Sequence, residues 1–181
     1  MQNRLAPLEE PYPEDVAKLL EAYPKANGQI LSLFRTFANS GRFLKKGVAN
    51  FLDKESPLPL RIREIVILRV TALFGCEYEW GVHTAIFAAH AKFDDRQLAD
   101  LASAEATFEA WPSSEAALIK SIDQLCRTGR LDDAAQASFE VDWSVEQQLE
   151  IIAIVGAYHT VSMVANVARL PLEGFARPFP E

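Results

Sequence analysis

The sequence predicts an all-α fold, a single-domain helical bundle. Three observations point to it. Apolar residues recur at three- and four-residue spacing along most of the chain, as in Ile30, Leu33, Phe34 and Phe37. Alternation of the strand type is absent. Proline, serine or aspartate precedes most of the periodic stretches, where helix starts are expected. With 181 residues, 49% of them hydrophobic and 24% charged, the chain suffices for one domain, 1–181, with a substantial core.

Residues 1–13, with Pro7, Pro11 and Pro13, are expected to form an extended arm. Pro13-Glu14-Asp15 resembles the acidic first turn of a helix reaching about Tyr23. A helix through Ile30 to Phe37 follows, and Gly41 separates it from another bearing Phe43, Leu44, Val48, Phe51 and Leu52. Pro57-Leu58-Pro59 ends that region. Ile62, Ile65, Val66, Leu68 and Leu73 favour a helix from Leu60 to Phe74, with Gly75 as its break. The next helix begins at or near Cys76 and runs to about Lys92. Asp94-Asp95 caps a short helix through Leu101, and Pro112-Ser113-Ser114-Glu115 begins another that ends at Gly129. A short helix near Asp132 to Phe139 precedes the last long one. There Ser144 and Gln147 form a capping box, and the helix runs to about Arg169, before Pro171.

The formal net charge of −7, with no basic cluster, argues against nucleic acid or an anionic membrane as partner. The longest apolar tract, Ile151 to Ala168, is interrupted by His159, Thr160, Ser162 and Asn166 and reads as a buried helix, not a membrane span. Met1-Gln2-Asn3-Arg4-Leu5 lacks an apolar signal core, so a cytoplasmic location is expected. Cys76 and Cys126 form no CxxC and are expected to be free thiols. No residue cluster has metal-ligand spacing, and no phosphate-binding glycine loop or serine elbow is present, so neither a metal nor a cofactor is expected.

Chemistry concentrates between Arg61 and His83. On one helix Cys76, Glu79 and His83 fall at i, i+3 and i+7 and share a face. A cysteine in the first turn meets free N–H groups that favour a thiolate. A carboxylate four residues from an imidazole raises its pKa and orients it for proton transfer. The bland alternatives are a surface Glu–His pair, a small buried cysteine, and core or interface aromatics at Tyr78 and Trp80. His159 reads as a core or interface histidine, His90 as a helix-end residue and Cys126 as structural. Arg61, Arg63 and Arg69 are candidates for holding an anionic substrate.

The block from Pro59 to about Gln97 resembles the core domain of the carboxymuconolactone decarboxylase / alkylhydroperoxidase D superfamily. In the hydroperoxidase branch a glutamate lies twelve residues before the first cysteine of a CxxC, and a histidine seven after it. Glu64, Cys76 and His83 match that spacing. Glu79 replaces the second cysteine, and Tyr78 replaces a histidine between the two. In the decarboxylases the stretch is similar to Gly-x-Glu-x-Glu-Leu-x-x-His, which Gly75, Glu77, Glu79 and His83 fit, with Trp80 in place of leucine. The departure weakens a dithiol peroxidase cycle, because Glu79 cannot form a disulfide and its charge opposes a thiolate.

The resemblance implies a cofactor-free, decarboxylase-like enzyme acting on a small organic acid or lactone. His83, Glu79, Glu64 and Cys76 would be its catalytic set, with Trp80, Tyr78 and Arg61 against the substrate. A single-cysteine, thiol-dependent alkylhydroperoxidase (peroxiredoxin activity) is the runner-up, and a non-catalytic oligomeric ligand-binding protein the third reading. A homo-oligomer is expected, a trimer or a hexamer, from the resemblance and from the apolar girth of the last helix.

Overall fold

The computed structural model describes residues 5–105, 107–109 and 111–180; expectations for Met1–Arg4 lie outside these. Among the described residues nine helices follow in chain order: α1 (Glu14–Leu20), α2 (Ser32–Phe37), α3 (Gly41–Lys46), α4 (Leu60–Leu73), α5 (Glu77–Phe87), α6 (Asp95–Ala102), α7 (Ser113–Thr128), α8 (Asp133–Asp142) and α9 (Val145–Ala168). The fold is all-α, as expected. One antiparallel pair of two-residue strands, β1 (Lys25–Ala26) and β2 (Gln29–Ile30), stands outside that expectation. Its turn is Asn27-Gly28, both at positive φ, the dipeptide that favours a tight hairpin. Ile30 therefore ends a strand rather than starting a helix.

The sequence reading and the structure also part over residues 47–59. These form turns, with Asn50 Oδ1 accepting from the Leu52 N–H and Asp53 Oδ1 from the Glu55 N–H. Side-chain capture of nearby N–H groups competes with helix, so Val48, Phe51 and Leu52 pack on the core from an irregular segment.

Helix α4 is the axis of the bundle. Every residue from Arg63 to Thr71 is buried, and α5, α6, α7 and α9 pack around it. A helix surrounded in this way needs no polar face, which explains its continuous β-branched and leucine content. Polar side chains on it must then be paired. Arg69 donates to both Asp123 oxygens, at 2.6 and 2.9 Å, and to the carbonyls of Leu101 and Ser103.

The turn from α4 to α5 sets how Glu64, Cys76 and His83 face one another. Gly75 lies at φ +58°. The Gly75 N–H donates to the Ala72 carbonyl and the Cys76 N–H to the Thr71 carbonyl, the paired bonds of a Schellman cap. Cys76 then becomes the N-cap of α5, its carbonyl accepting from the Trp80 N–H at 3.1 Å. The two helices are thereby folded back on each other within three residues. Helix α9 opens with the expected capping box between Ser144 and Gln147, worth about 1 kcal/mol. Its buried face, Ile151, Ile154, Val155, Tyr158, Val161, Ser162, Ala165 and Ala168, lies on α4 and α5. Among the described helices α9 also has the length and apolar composition of a membrane span.

Candidate active site

Three helices converge on His83. Glu64 comes from α4, Glu79 and His83 from α5, and Tyr158 from α9. His83 Nδ1 donates to Glu64 Oε2 at 2.8 Å, and its other ring nitrogen, Nε2, lies 2.9 Å from the Tyr158 hydroxyl. Glu79 Oε2 stands 3.7 Å from the same Nε2. Each of these side chains is buried, Glu64 completely. Behind Glu64 stands Arg63, with Nε 3.5 Å from Oε1. That pair closes no hydrogen bond, so Arg63 Nε and Glu64 Oε1 both keep bonding capacity inside the protein.

Electrostatics follow from burial and neighbours. Burial alone depresses the His83 pKa, but the Glu64 carboxylate and its hydrogen bond, then Glu79, outweigh it and raise it above the ordinary imidazole value. Burial holds Glu79 above the usual carboxylate range, against the pull of His83. Tyr158 is kept well above the usual phenol range by burial and by the charges of Glu79 and Glu64, so it stays neutral. The result is an imidazole held in one orientation, cationic over a wider pH range than a free histidine, with its Nε2 edge facing one phenol and one carboxyl.

Cys76 is fully buried beside this cluster and free of any disulfide. Burial raises its pKa; the Glu79 backbone N–H opposes that, while the Glu79 charge adds to it. The Ser162 hydroxyl lies toward the thiol without closing a hydrogen bond. Position at a helix N-terminus therefore does not produce a thiolate here, because desolvation wins. Cys126, elsewhere on α7, is pushed up to about 11 by burial and Asp123.

The structure unites Glu64, Glu79, His83 and Cys76, and adds Tyr158 from a helix 75 residues further along. It separates the three residues expected against the substrate. Arg61 grips both Glu115 oxygens, at 2.8 and 2.9 Å, and the carbonyls of Ala91 and Lys92, and lies over the rings of Phe93 and Trp111. None of these partners belongs to the His83 cluster. The Tyr78 hydroxyl donates to Glu173 Oε1 at 2.6 Å and accepts from the Leu33 N–H, tying the C-terminal segment to α2. Trp80 is buried against Phe179 of that segment. His90 is exposed in the turns after α5, and His159 packs on Phe74, with ring centres 4.2 Å apart. Among the described residues no three His, Cys, Asp or Glu side chains are grouped to hold a metal ion.

Comparison with known proteins bears on the same region. Residues 44–119, from α3 into α7, match the model of the carboxymuconolactone decarboxylase family. No curated protein sequence matches the chain. Among solved structures, the chain is similar to the crystal structure of an uncharacterized peroxidase-related protein from Silicibacter sp. TM1040. The two are 17% identical, with a TM-score of 0.74 over 99% of this chain and all of that one. At that identity the likeness is one of fold.

Proposed function

We propose that this chain, whose residues 44–119 match the model of the carboxymuconolactone decarboxylase family, is an acid–base enzyme acting on a small organic acid or lactone. The observation that supports this reading is His83, held between Glu64 on Nδ1 and Tyr158 on Nε2 inside the bundle. A histidine fixed by a carboxylate on one nitrogen delivers or takes its proton at the other. Nε2 is then the working atom, and Glu64 a positioning residue that stabilises the imidazolium.

Loss of carbon dioxide from a β-keto acid or an unsaturated lactone acid leaves the bonding electron pair delocalised into the neighbouring carbonyl. A proton delivered to carbon from Nε2, directly or through the Tyr158 hydroxyl, completes the reaction, and solvent restores the imidazolium. Glu79, whose carboxyl is held above the usual carboxylate range by burial, stands 3.7 Å from Nε2 and can share a proton with it. Arg63 Nε, with no hydrogen-bond partner among the described residues, is suited to the leaving carboxylate. Turnover of a panel of β-keto acids and lactone acids tests the reading. His83→Gln should lose about 10²–10⁴-fold in kcat/KM, and a variant with full activity would overturn it.

The single-cysteine hydroperoxidase is the second reading, favoured by Cys76 at the N-cap of α5, where the Glu79 backbone N–H works against burial to lower the thiol pKa. There the thiolate attacks the peroxide oxygen, leaving a sulfenic acid and an alcohol, and an external thiol returns the cysteine to its reduced form. Peroxide consumption lost in Cys76→Ser but retained in His83→Gln would select it.

A further inference from the structure

The side of α9 turned away from α4 is apolar, and among the described residues nothing covers it. Val145, Leu149, Ile152, Met163 and Val167 are each about half exposed or more, Val145 at 73% and Val167 at 71%. With exposed Gly156 they recur at spacings of four, three, four, seven and four, which is the seam of a coiled coil. The order along the seam is symmetric. Eleven residues before Gly156 stands Val145, and eleven after it Val167. Seven before is Leu149 and seven after Met163; four before is Ile152 and four after Thr160. At the centre a Cβ on Gly156 would meet nothing within 4 Å, so a neighbouring backbone has room to approach.

A stripe that reads alike from its middle outwards fits itself when rotated half a turn about that middle. Rotation sets Val145 against Val167, Leu149 against Met163 and Ile152 against Thr160, so the four outer residues meet apolar partners of similar size, the condition for an isologous contact. The ends are also complementary in charge. Asp142 and Glu146 stand exposed at the start of the stripe and Arg169 at its close. Antiparallel packing brings each arginine beside the other copy's acidic end and sets the two helix dipoles head to tail.

We infer that α9 is a two-fold interface with a second copy of this chain, antiparallel and centred on Gly156. A three-fold axis cannot use a self-matching stripe in this way, so the contact gives a dimer, or joins trimers into a hexamer. A bilayer is the poorer occupant. The seam is narrow, Glu146 and Asn166 interrupt it on the exposed side, and Tyr158 and Ser162 on the opposite face are committed to the interior. The contact also braces the helix that holds Tyr158 against His83.

Analytical ultracentrifugation of the full chain at micromolar concentration should give an even-numbered assembly. The Leu149→Glu, Met163→Glu double variant should halve its mass while circular dichroism stays unchanged. Oxidative cross-linking fixes the direction independently of that variant. Chains with Leu149→Cys should cross-link to chains with Met163→Cys, and neither should cross-link efficiently to itself. A monomeric or odd-numbered native protein, self-linking of Leu149→Cys chains alone, or flotation with phosphatidylcholine vesicles in place of self-association would overturn the inference.

Discussion

Glu64 and His83 are nineteen residues apart in sequence and 2.8 Å apart in the fold, joined across the α4–α5 turn with both side chains almost wholly inside the protein. Because Glu64 stabilises the cationic ring more than burial penalises it, His83 titrates above the ordinary imidazole range. The chain has three histidines, so imidazole resonances are readily resolved by NMR. His83 should titrate above the ordinary imidazole value, and His159, depressed by burial, below it. Glu64→Gln should lower the His83 midpoint. A midpoint unmoved by that substitution would dispose of Glu64 as its electrostatic partner.

The Tyr158 hydroxyl is 2.9 Å from Nε2. Removing it with Tyr158→Phe leaves the ring packed edge-on against His83 and costs about 1 kcal/mol of stability. If the hydroxyl works in proton transfer, kcat falls by about tenfold or more with KM little changed. Steady-state kinetics together with a denaturant melt separate the two effects. A stability loss with unchanged kcat would reduce Tyr158 to a structural prop.

Much of this was legible in the sequence, and the exceptions share a cause. Capping boxes at Asp94–Gln97 and Ser144–Gln147 and the left-handed glycines 75 and 129 are local devices, and each stands where local signals put it. The Glu64–Cys76–His83 spacing was readable because one tight turn joins the helices that hold it. Tyr158 comes from a remote helix whose apolar pattern absorbed it; Tyr158 and Ser162, two hydroxyls four apart on the buried face of α9, were the available signal. The engagement of Arg61 away from His83 is hidden for the same reason. Its partners Glu115 and the 91–92 carbonyls depend on packing that no spacing rule expresses.

Cys76 should react slowly in the native state. Its sulfur is fully buried and its thiol pKa raised, so alkylation by iodoacetamide at neutral pH should be at least tenfold slower than for the unfolded chain. Mass spectrometry without reductant should find neither cysteine in a disulfide. A Cys76–Cys126 bridge would contradict the fold as described and revive a dithiol mechanism.

Glu79 makes a pH-dependent contribution of definite sign. Its folded pKa lies above its unfolded value because burial penalises the anion. Below the unfolded pKa, about 4.3, both states bind the proton and Glu79 costs nothing. As pH rises past that value the unfolded chain releases its proton first, and stability falls until pH exceeds the folded pKa. Glu79→Gln lacks this penalty. Its melting temperature should match the parent near pH 4 and exceed it at pH 7 to 8. A variant less stable at pH 7 than at pH 4, relative to the parent, would mean that His83 holds Glu79 as a stabilising anion.

A substrate must reach a site whose side chains are all buried. The outer side of α5 is covered by the C-terminal segment. There the Arg177 N–H donates to the Gly81 carbonyl, the Phe179 N–H donates to Glu77 Oε1, and Phe179 packs on Trp80. Gly81 permits this approach: a Cβ there would lie 2.5 Å from the Arg177 carbonyl oxygen and 3.1 Å from Ala176 Cβ and Leu172 Cδ2. Gly81→Ala must therefore push the segment off α5, while alanine itself suits the helix better than glycine. The segment is further pinned by Tyr78 and the Ser32 N–H on Glu173, so Tyr78→Phe should loosen it more gently. If this segment gates the site, both variants should speed alkylation of Cys76, Gly81→Ala by about tenfold or more through local opening. Hydrogen exchange should rise in residues 170–180 and α5 but not in α7. Faster alkylation with exchange confined to α9 would show instead that access runs past Tyr158.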